Sequence, residues 1–333
     1  MPESQKRVFV TDCEGPVTKN DNAAELAEAF IPEGESLFRK ISIYDDYLAE
    51  IARKPGYKAG NTLKLILPFL KAFGVDDRSM RKFSRRNIQM IPFADKVLGK
   101  IHSLAPSYIV STSYSPYIQG VCDVIGFPLD CTFSTQVTLD NFDLSDMDKK
   151  VIRDAHKRIL ELPDIKIPEV SHNESDMDEK DLEIIGHLNK FFWYEFPNLE
   201  IYNLVESVNP IGGLEKAQAI NEIVEVEGSS IENVVYVGDS ITDVEAFRLV
   251  RNGGGLAVSF NGNNWAVREA MIALTGSNAL VIEWIATAFI LFGPDSLTDL
   301  MIQRVTDGNL DDIITRSSQI RKTVRTEKIA ALG

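Results

Sequence analysis

Cysteine is scarce in this chain. Only Cys13, Cys122 and Cys131 occur among 333 residues. Their number is odd and their spacing fits no metal-ligand pattern. This excludes a disulfide framework and a cysteine-built metal site, and points to reduced thiols in a cytoplasmic protein. Positive charge is also short: 35 Lys and Arg stand against 49 Asp and Glu, for a net charge of −14. Non-specific nucleic-acid binding needs clustered cations and is therefore not expected. Long apolar runs are missing too. The most apolar late stretch, Ala279 to Phe292, contains Glu283 and falls short of the ~20 residues needed to span a bilayer. It is expected to be a buried helix, with no membrane contact. The leading MPESQKR has no apolar core of the kind a signal peptide carries. No internal repeat or low-complexity tract is present.

What is there reads as an ordinary globular protein of about two domains. Val8-Phe9-Val10-Thr11 runs straight into Asp12-Cys13-Glu14-Gly15-Pro16. A short apolar run that ends in two acids two residues apart suits a buried strand presenting carboxylates to a crevice. It also suits a turn with solvated acids. Four more β-rich runs follow, at Ser107–Val110, Thr132–Ser134, Asn233–Val237 and Gly255–Val258. Unalternating apolar runs that close on turn residues read as parallel strands covered on both faces. Helical spacing separates them over Ala94–Leu104, Leu214–Val226 and Val244–Val250. The fold class expected is therefore α/β, a doubly wound parallel, Rossmann-like sheet.

Two stretches break the alternation. Residues 20–90 are helical by pattern from Asn22 onward, and residues 138–200 are acidic and helix-rich. The expected division is a core of 1–19, 91–137 and 201–294, a helical cap at 20–90 inserted after the first strand, a second helical insertion at 138–200, and a polar helical tail at 295–333. The charged segment 171–181 is expected to be a mobile connection. The amphipathic stretch Leu310–Ile320 is expected to pack on the core or on a partner.

Three further motifs join the acid pair. Ser111-Thr112-Ser113 ends the second strand, where hydroxyls and free N–H groups either receive an anion or simply cap a helix. Lys216 follows Gly212-Gly213 in the first turn of a helix, where the macrodipole favours acids. A nearby anion would explain it there, and so would solvent. Gly238-Asp239-Ser240-Ile241-Thr242-Asp243 closes the fourth strand. Its two aspartates at i and i+4 suit a divalent cation or a helix cap. Cys13 reads as a spacer whose thiol is kept protonated by its acidic neighbours.

In order and position these motifs resemble those of the haloacid dehalogenase-like superfamily. The resemblance runs over residues 5–18, 92–135 and 205–275 and looks closest to the phosphoserine phosphatase-like branch. Including Tyr44-Asp45-Asp46-Tyr47 and Gly56-Tyr57-Lys58-Ala59-Gly60, the chain also resembles an archaeal group of that superfamily sometimes labelled energy-converting hydrogenase A subunit R. The resemblance implies a Mg²⁺-dependent phosphohydrolase acting on a small phosphorylated metabolite. Asp12 would be the nucleophile that forms an aspartyl-phosphate. Mg²⁺ would be held by the Asp12 carboxylate, the Glu14 carbonyl and Asp239, with Asp243 orienting the metal shell or Lys216. Ser111, Thr112, Lys216 and Asn261 would bind the phosphate. Glu14 departs from the pattern, which has aspartate as the leaving-group acid. The added methylene keeps the carboxyl but shifts it, and a ~1 Å displacement can cost about 10²-fold. Arg81, Arg85 and Arg86 in the cap are candidates to meet an acidic substrate group. The alternatives are a phosphotransferase or mutase with the same intermediate, and a non-catalytic accessory or regulatory subunit in a homodimer or protein complex.

Overall fold

The structure is a computed structural model that describes residues 6–168, 173–294, 305–306 and 308–330. Its centre is one six-stranded sheet: β1 (Val8–Thr11), β2 (Ser107–Tyr114), β3 (Thr132–Thr135), β4 (Val234–Gly238), β5 (Leu256–Phe260) and β6 (Ile272–Leu274). The order is β3-β2-β1-β4-β5-β6, with every pairing parallel. The expected doubly wound α/β fold is what forms. The sixth strand was not anticipated, because three residues at a sheet edge carry too little pattern to stand out.

Fourteen α-helices are described, in chain order: α1 (Asn22–Phe30), α2 (Gly34–Asp46), α3 (Thr62–Ala72), α4 (Asp77–Arg86), α5 (Ala94–Leu104), α6 (Ser115–Ile125), α7 (Asp146–Glu161), α8 (Glu179–Asn189), α9 (Tyr202–Ser207), α10 (Leu214–Glu227), α11 (Val244–Asn252), α12 (Asn264–Glu269), α13 (Leu280–Phe292) and α14 (Leu310–Ala330). The period of two along each strand feeds two cores. Phe9, Ile109, Val235 and Val237 point to the face covered by α5, α6 and α13. Val8, Val10, Val110 and Tyr236 point to the face covered by α10, α11 and α12.

The two insertions do not stand apart. The cap helices α1–α4 and the later helices α7–α9 share a single apolar core that runs from Leu26 and Ile41 to Phe191 and Leu204. Polar bonds stitch them as well. Lys40 Nζ reaches Asp164 at 2.7 Å, and Tyr44 donates to Asn189 at 2.6 Å while accepting from Trp193 at 2.8 Å. Residues 201–208, expected with the sheet, pack into this helical body.

Two further expectations need correction. Of the segment 171–181, residues 171 and 172 lie outside the described residues. The remainder is not all connection: Asn173 caps the turn Glu174–Asp176, Tyr47 bonds Glu174, and α8 starts at Glu179. Helix α13 is buried on one face only. Ile282, Ile285 and Phe289 sit on the sheet, while Trp284, Leu291 and Phe292 are exposed. No helix among the described residues is long and apolar enough to cross a membrane.

Candidate active site

The strand order reverses at β1, which lies between β2 and β4, and ligands of open α/β sheets bind at such a switch point. Asp12 emerges there. Its N–H donates to the Val237 carbonyl of β4 at 2.8 Å, so the acid leaves the sheet beside the residues that follow β4. Asp12 Oδ1 accepts the Cys13 N–H at 2.6 Å, and Oδ2 accepts Lys216 Nζ at 2.7 Å. Lys216, in the first turn of α10, is fully buried. Its other partner is Asp243 Oδ1, also at 2.7 Å. The cation that looked misplaced against the helix dipole thus has two anions.

Asp243 is saturated. Oδ1 also accepts from Tyr236 at 2.6 Å, and Oδ2 accepts the N–H groups of Asp239 and Ser240 at 2.8 and 2.9 Å. Burial alone would raise its carboxyl, but Lys216 and these donors outweigh burial and hold it below its ordinary value. Asp12 shares the same lysine and ends up on the other side. Burial, together with Asp243 and Asp239 nearby, pushes it up to about 7 against the pull of Lys216.

Glycine is required where the two acid loops touch. Gly15 has φ +108, and a Cβ there would lie 2.3 Å from the Asp239 carboxyl carbon. At Gly212, before α10, a Cβ would meet the Ala59 carbonyl at 2.8 Å, so only glycine lets the cap approach so closely. Cys13 is buried between the acids. Burial, then Glu14 and Asp12, keeps its thiol well above the ordinary value, in keeping with the spacer reading.

β2 runs further than the sequence suggested. It continues to Tyr114 with an irregularity in register between Ser111 and Tyr114, a device that re-aims side chains. Ser111 bonds Ser113 at 3.2 Å, and the Thr112 hydroxyl is buried without a partner. The crevice they line is completed by Asp12, Glu14 and Asp239 from the sheet side, and by Asp21, Asp45, Gly60 and Thr62 from the cap.

Glu14 makes an unexpected contact: its Oε1 accepts the N–H of Asn22, the first residue of α1, at 2.7 Å. The extra methylene carries the carboxyl to the start of the cap's first helix. Burial, and then Asp21, raises it well above its ordinary value. Asp21, the N-cap of α1, is also raised, chiefly by burial.

Two more cations enter from α14. Arg325 donates to Asp239 Oδ2 at 2.7 Å and to the Lys19 carbonyl at 3.1 Å, and it also reaches the Asn20 carbonyl. Arg321 donates to the same Asp239 oxygen and to the Asp239 carbonyl at 3.1 Å.

The sequence matches no protein-family model, and no curated protein gives a significant match. Solved structures do match. Gene product AF1437 from Archaeoglobus fulgidus superposes with a TM-score of 0.84 at 27% identity, over 99% of this chain and 99% of its own. A phosphoserine phosphatase in apo form gives 0.50 at 15% identity, over 84% of this chain and 98% of its own. A phospho-aspartyl intermediate analogue of phosphoserine phosphatase gives 0.51 at 14%, over 85% and 99%. The fold is haloacid dehalogenase-like.

On this haloacid dehalogenase-like sheet the structure gathers Asp12, Glu14, Ser111, Thr112, Lys216, Asp239 and Asp243 in one place. The Asn261 side chain does not line the crevice, although its carbonyl accepts from Arg321 at 3.4 Å. The Asn261 side chain is spent on Gly276, donating to its carbonyl at 2.8 Å and accepting its N–H at 2.9 Å. Nor does the structure bring in Arg81, Arg85 and Arg86, which stay exposed, with Arg85 paired to Asp123. The acids Asp21 and Asp45 and the cations Arg321 and Arg325 were missed by sequence reasoning. Only the i,i+4 spacing of the arginines was visible, and nothing local ties them to residues 19–20 and 239.

Oxygens of Asp12, Asp239 and Asp243 lie within 4.8 Å of one another, all buried. Hard carboxylate donors of this kind fit a hard divalent cation. The occupied oxygens of Asp243 make it the residue that orients Lys216 and the 239–240 turn.

Proposed function

We propose that the protein is a Mg²⁺-dependent phosphohydrolase that cleaves a small phosphorylated metabolite through an aspartyl-phosphate on Asp12. The observation that carries this reading is the buried Asp12 carboxylate at the end of β1, oriented by Lys216 and facing the Ser111–Ser113 hydroxyls. Mg²⁺, held by Asp12, Asp239 and the Glu14 carbonyl, would supply charge neutralisation at the phosphoryl group. Every other part belongs to the chain. A carboxylate is a weak nucleophile, so placement must do much of the work. Asp12 forms its bond to phosphorus as the ester oxygen leaves. Ser111, Thr112 and Lys216 bind phosphoryl oxygens. Glu14, whose carboxyl burial and then Asp21 raise, gives its proton to the departing oxygen and takes one back from the water that later opens the acyl phosphate. Because Glu14 is bonded to α1, the acid and the cap form one unit, and cap closure sets its position.

The test is phosphate release from an aryl phosphate and a panel of phosphometabolites with Mg²⁺. Turnover is expected to fall at least about 10³-fold in Asp12→Asn, and activity that survives the substitution rejects the mechanism. One observation favours the accessory reading: Arg321 and Arg325 hold the carboxylate that catalysis would give to the metal. Stable co-purification with a partner and no turnover on any substrate would decide for it.

A further inference from the structure

Arg321 and Arg325 stand four residues apart, so both guanidiniums leave α14 on one face. They are 3% and 5% exposed. Both converge on Asp239 Oδ2, the oxygen of an acid that a divalent cation would also need. One carboxylate therefore has two claimants of the same sign.

The rest of the attachment of α14 is mainly polar, with Val324 half-buried against the apolar core. Ser317 donates to the Gly262 carbonyl at 2.6 Å, and Arg325 binds the carbonyls of Lys19 and Asn20. Ile313 is the one fully buried apolar residue among 310–325. A helix held by a few polar bonds, with little apolar burial, belongs to the low-stability end of a structure. It can give up its site without unpacking a core.

We propose that α14 is a built-in counter-cation latch. Arg321 and Arg325 neutralise Asp239 and close the crevice in the metal-free protein, and the binding of a divalent cation at Asp239 releases the helix. The inference rests on the reading of Asp239 as a ligand of that cation. The coupling is reciprocal: whatever the docked helix takes from cation affinity, the bound cation takes from docking.

The experiment uses the full chain and Mg²⁺ as the probe. Hydrogen exchange of residues 310–325 in the unsubstituted protein is expected to speed up when saturating Mg²⁺ is added. Titration calorimetry is expected to show the Arg321→Gln/Arg325→Gln double variant binding Mg²⁺ about 10-fold tighter or more, within the range of ordinary couplings. Ser317→Ala, which loosens α14 without touching Asp239, should shift affinity the same way by a smaller factor. Mg²⁺ that slows or leaves unchanged the exchange of 310–325 overturns the latch, and so does equal or weaker Mg²⁺ binding by the double variant. Loss of Mg²⁺ binding in Asp239→Asn, with binding kept in the unsubstituted protein, supports the ligand assignment. Absence of Mg²⁺ binding in every variant overturns that assignment and the latch together. The exchange measurement needs no substitution and stands even if the double variant fails to fold.

Discussion

Two buried charge clusters meet across the crevice and are built on opposite plans. In one, a single cation lies between two acids: Lys216 is 2.7 Å from Asp12 and 2.7 Å from Asp243. In the other, a single acid lies between two cations, Asp239 under Arg321 and Arg325. The first is carried by α10, which packs on the sheet through Ala219, Ile220 and Ile223. The second depends on α14 and its few polar ties. Each cluster alone is unbalanced. The lysine side leaves excess negative charge, and Asp12, raised first by burial, is raised further by Asp243 and Asp239. The arginine side leaves excess positive charge, with the carboxyls of Glu14 and Asp21 close to Arg325. Burying charge is costly unless it is matched, so the two clusters balance only together. One is permanent and the other exchangeable.

The sharpest way to break this contrast is Lys216→Met. It leaves Asp12 and Asp243 buried side by side with no cation between them. In the presence of chelator, urea denaturation should show a loss of about 3–5 kcal/mol. A loss near zero would show that the lysine side is as dispensable as the arginine side is taken to be.

Asp45 supplies the intermediate case, a buried acid with no ion pair among the described residues. Its donors are neutral, among them Tyr57 at 2.6 Å and the Gly60 N–H at 2.9 Å. Burial accordingly pushes its carboxyl up to about 6 from 3.8. A pKa raised in the fold means that the fold favours the protonated acid. Its contribution to stability is complete below pH 4 and is lost as pH rises through 6. Between pH 4 and 7 the unsubstituted protein should lose about 3 kcal/mol more than Asp45→Asn, measured by denaturation at each pH. Parallel pH profiles would remove the contrast between acids with and without a cation.

The smallest effect concerns the link between the cap and the acid. Glu14→Asp restores the aspartate of the superfamily pattern but withdraws the acceptor from the Asn22 N–H. Thermal denaturation should register a loss of about 1 kcal/mol, the size of a lost helix cap. Turnover should fall rather than rise, because the shortened acid loses its anchor on α1.

Much of this was legible in the sequence, and the exceptions share a cause. β1, β4 and β5 announce themselves as apolar runs ending in turn residues, and the helices at Ala94 and Asn22 begin where pattern and capping put them. The motif residues could be read because each sits at a strand end and their order along the chain is distinctive. Asn261 was misplaced because nearness to the last catalytic strand is not contact, and its amide braces the turn at Gly276. The outer face of α13 was missed because composition does not say which side of a helix is covered. Arg321 and Arg325 were invisible because their partners lie about 80 and 300 residues away in sequence, and no local pattern reports a long-range docking.

The central position of β1 has a consequence for how the chain is made. Its two edges pair with β2 and β4, so one waits for residue 107 and the other for residue 234. At a synthesis rate of about 5–20 residues per second, those waits last roughly 5–20 s and 11–45 s. For that time a strand that is apolar at three of its four positions leaves the ribosome with an open edge, the kind that recruits other nascent chains. Asp12 and Glu14 then serve as charged stoppers at the end of the strand, guarding during synthesis the position at which they work in the finished protein.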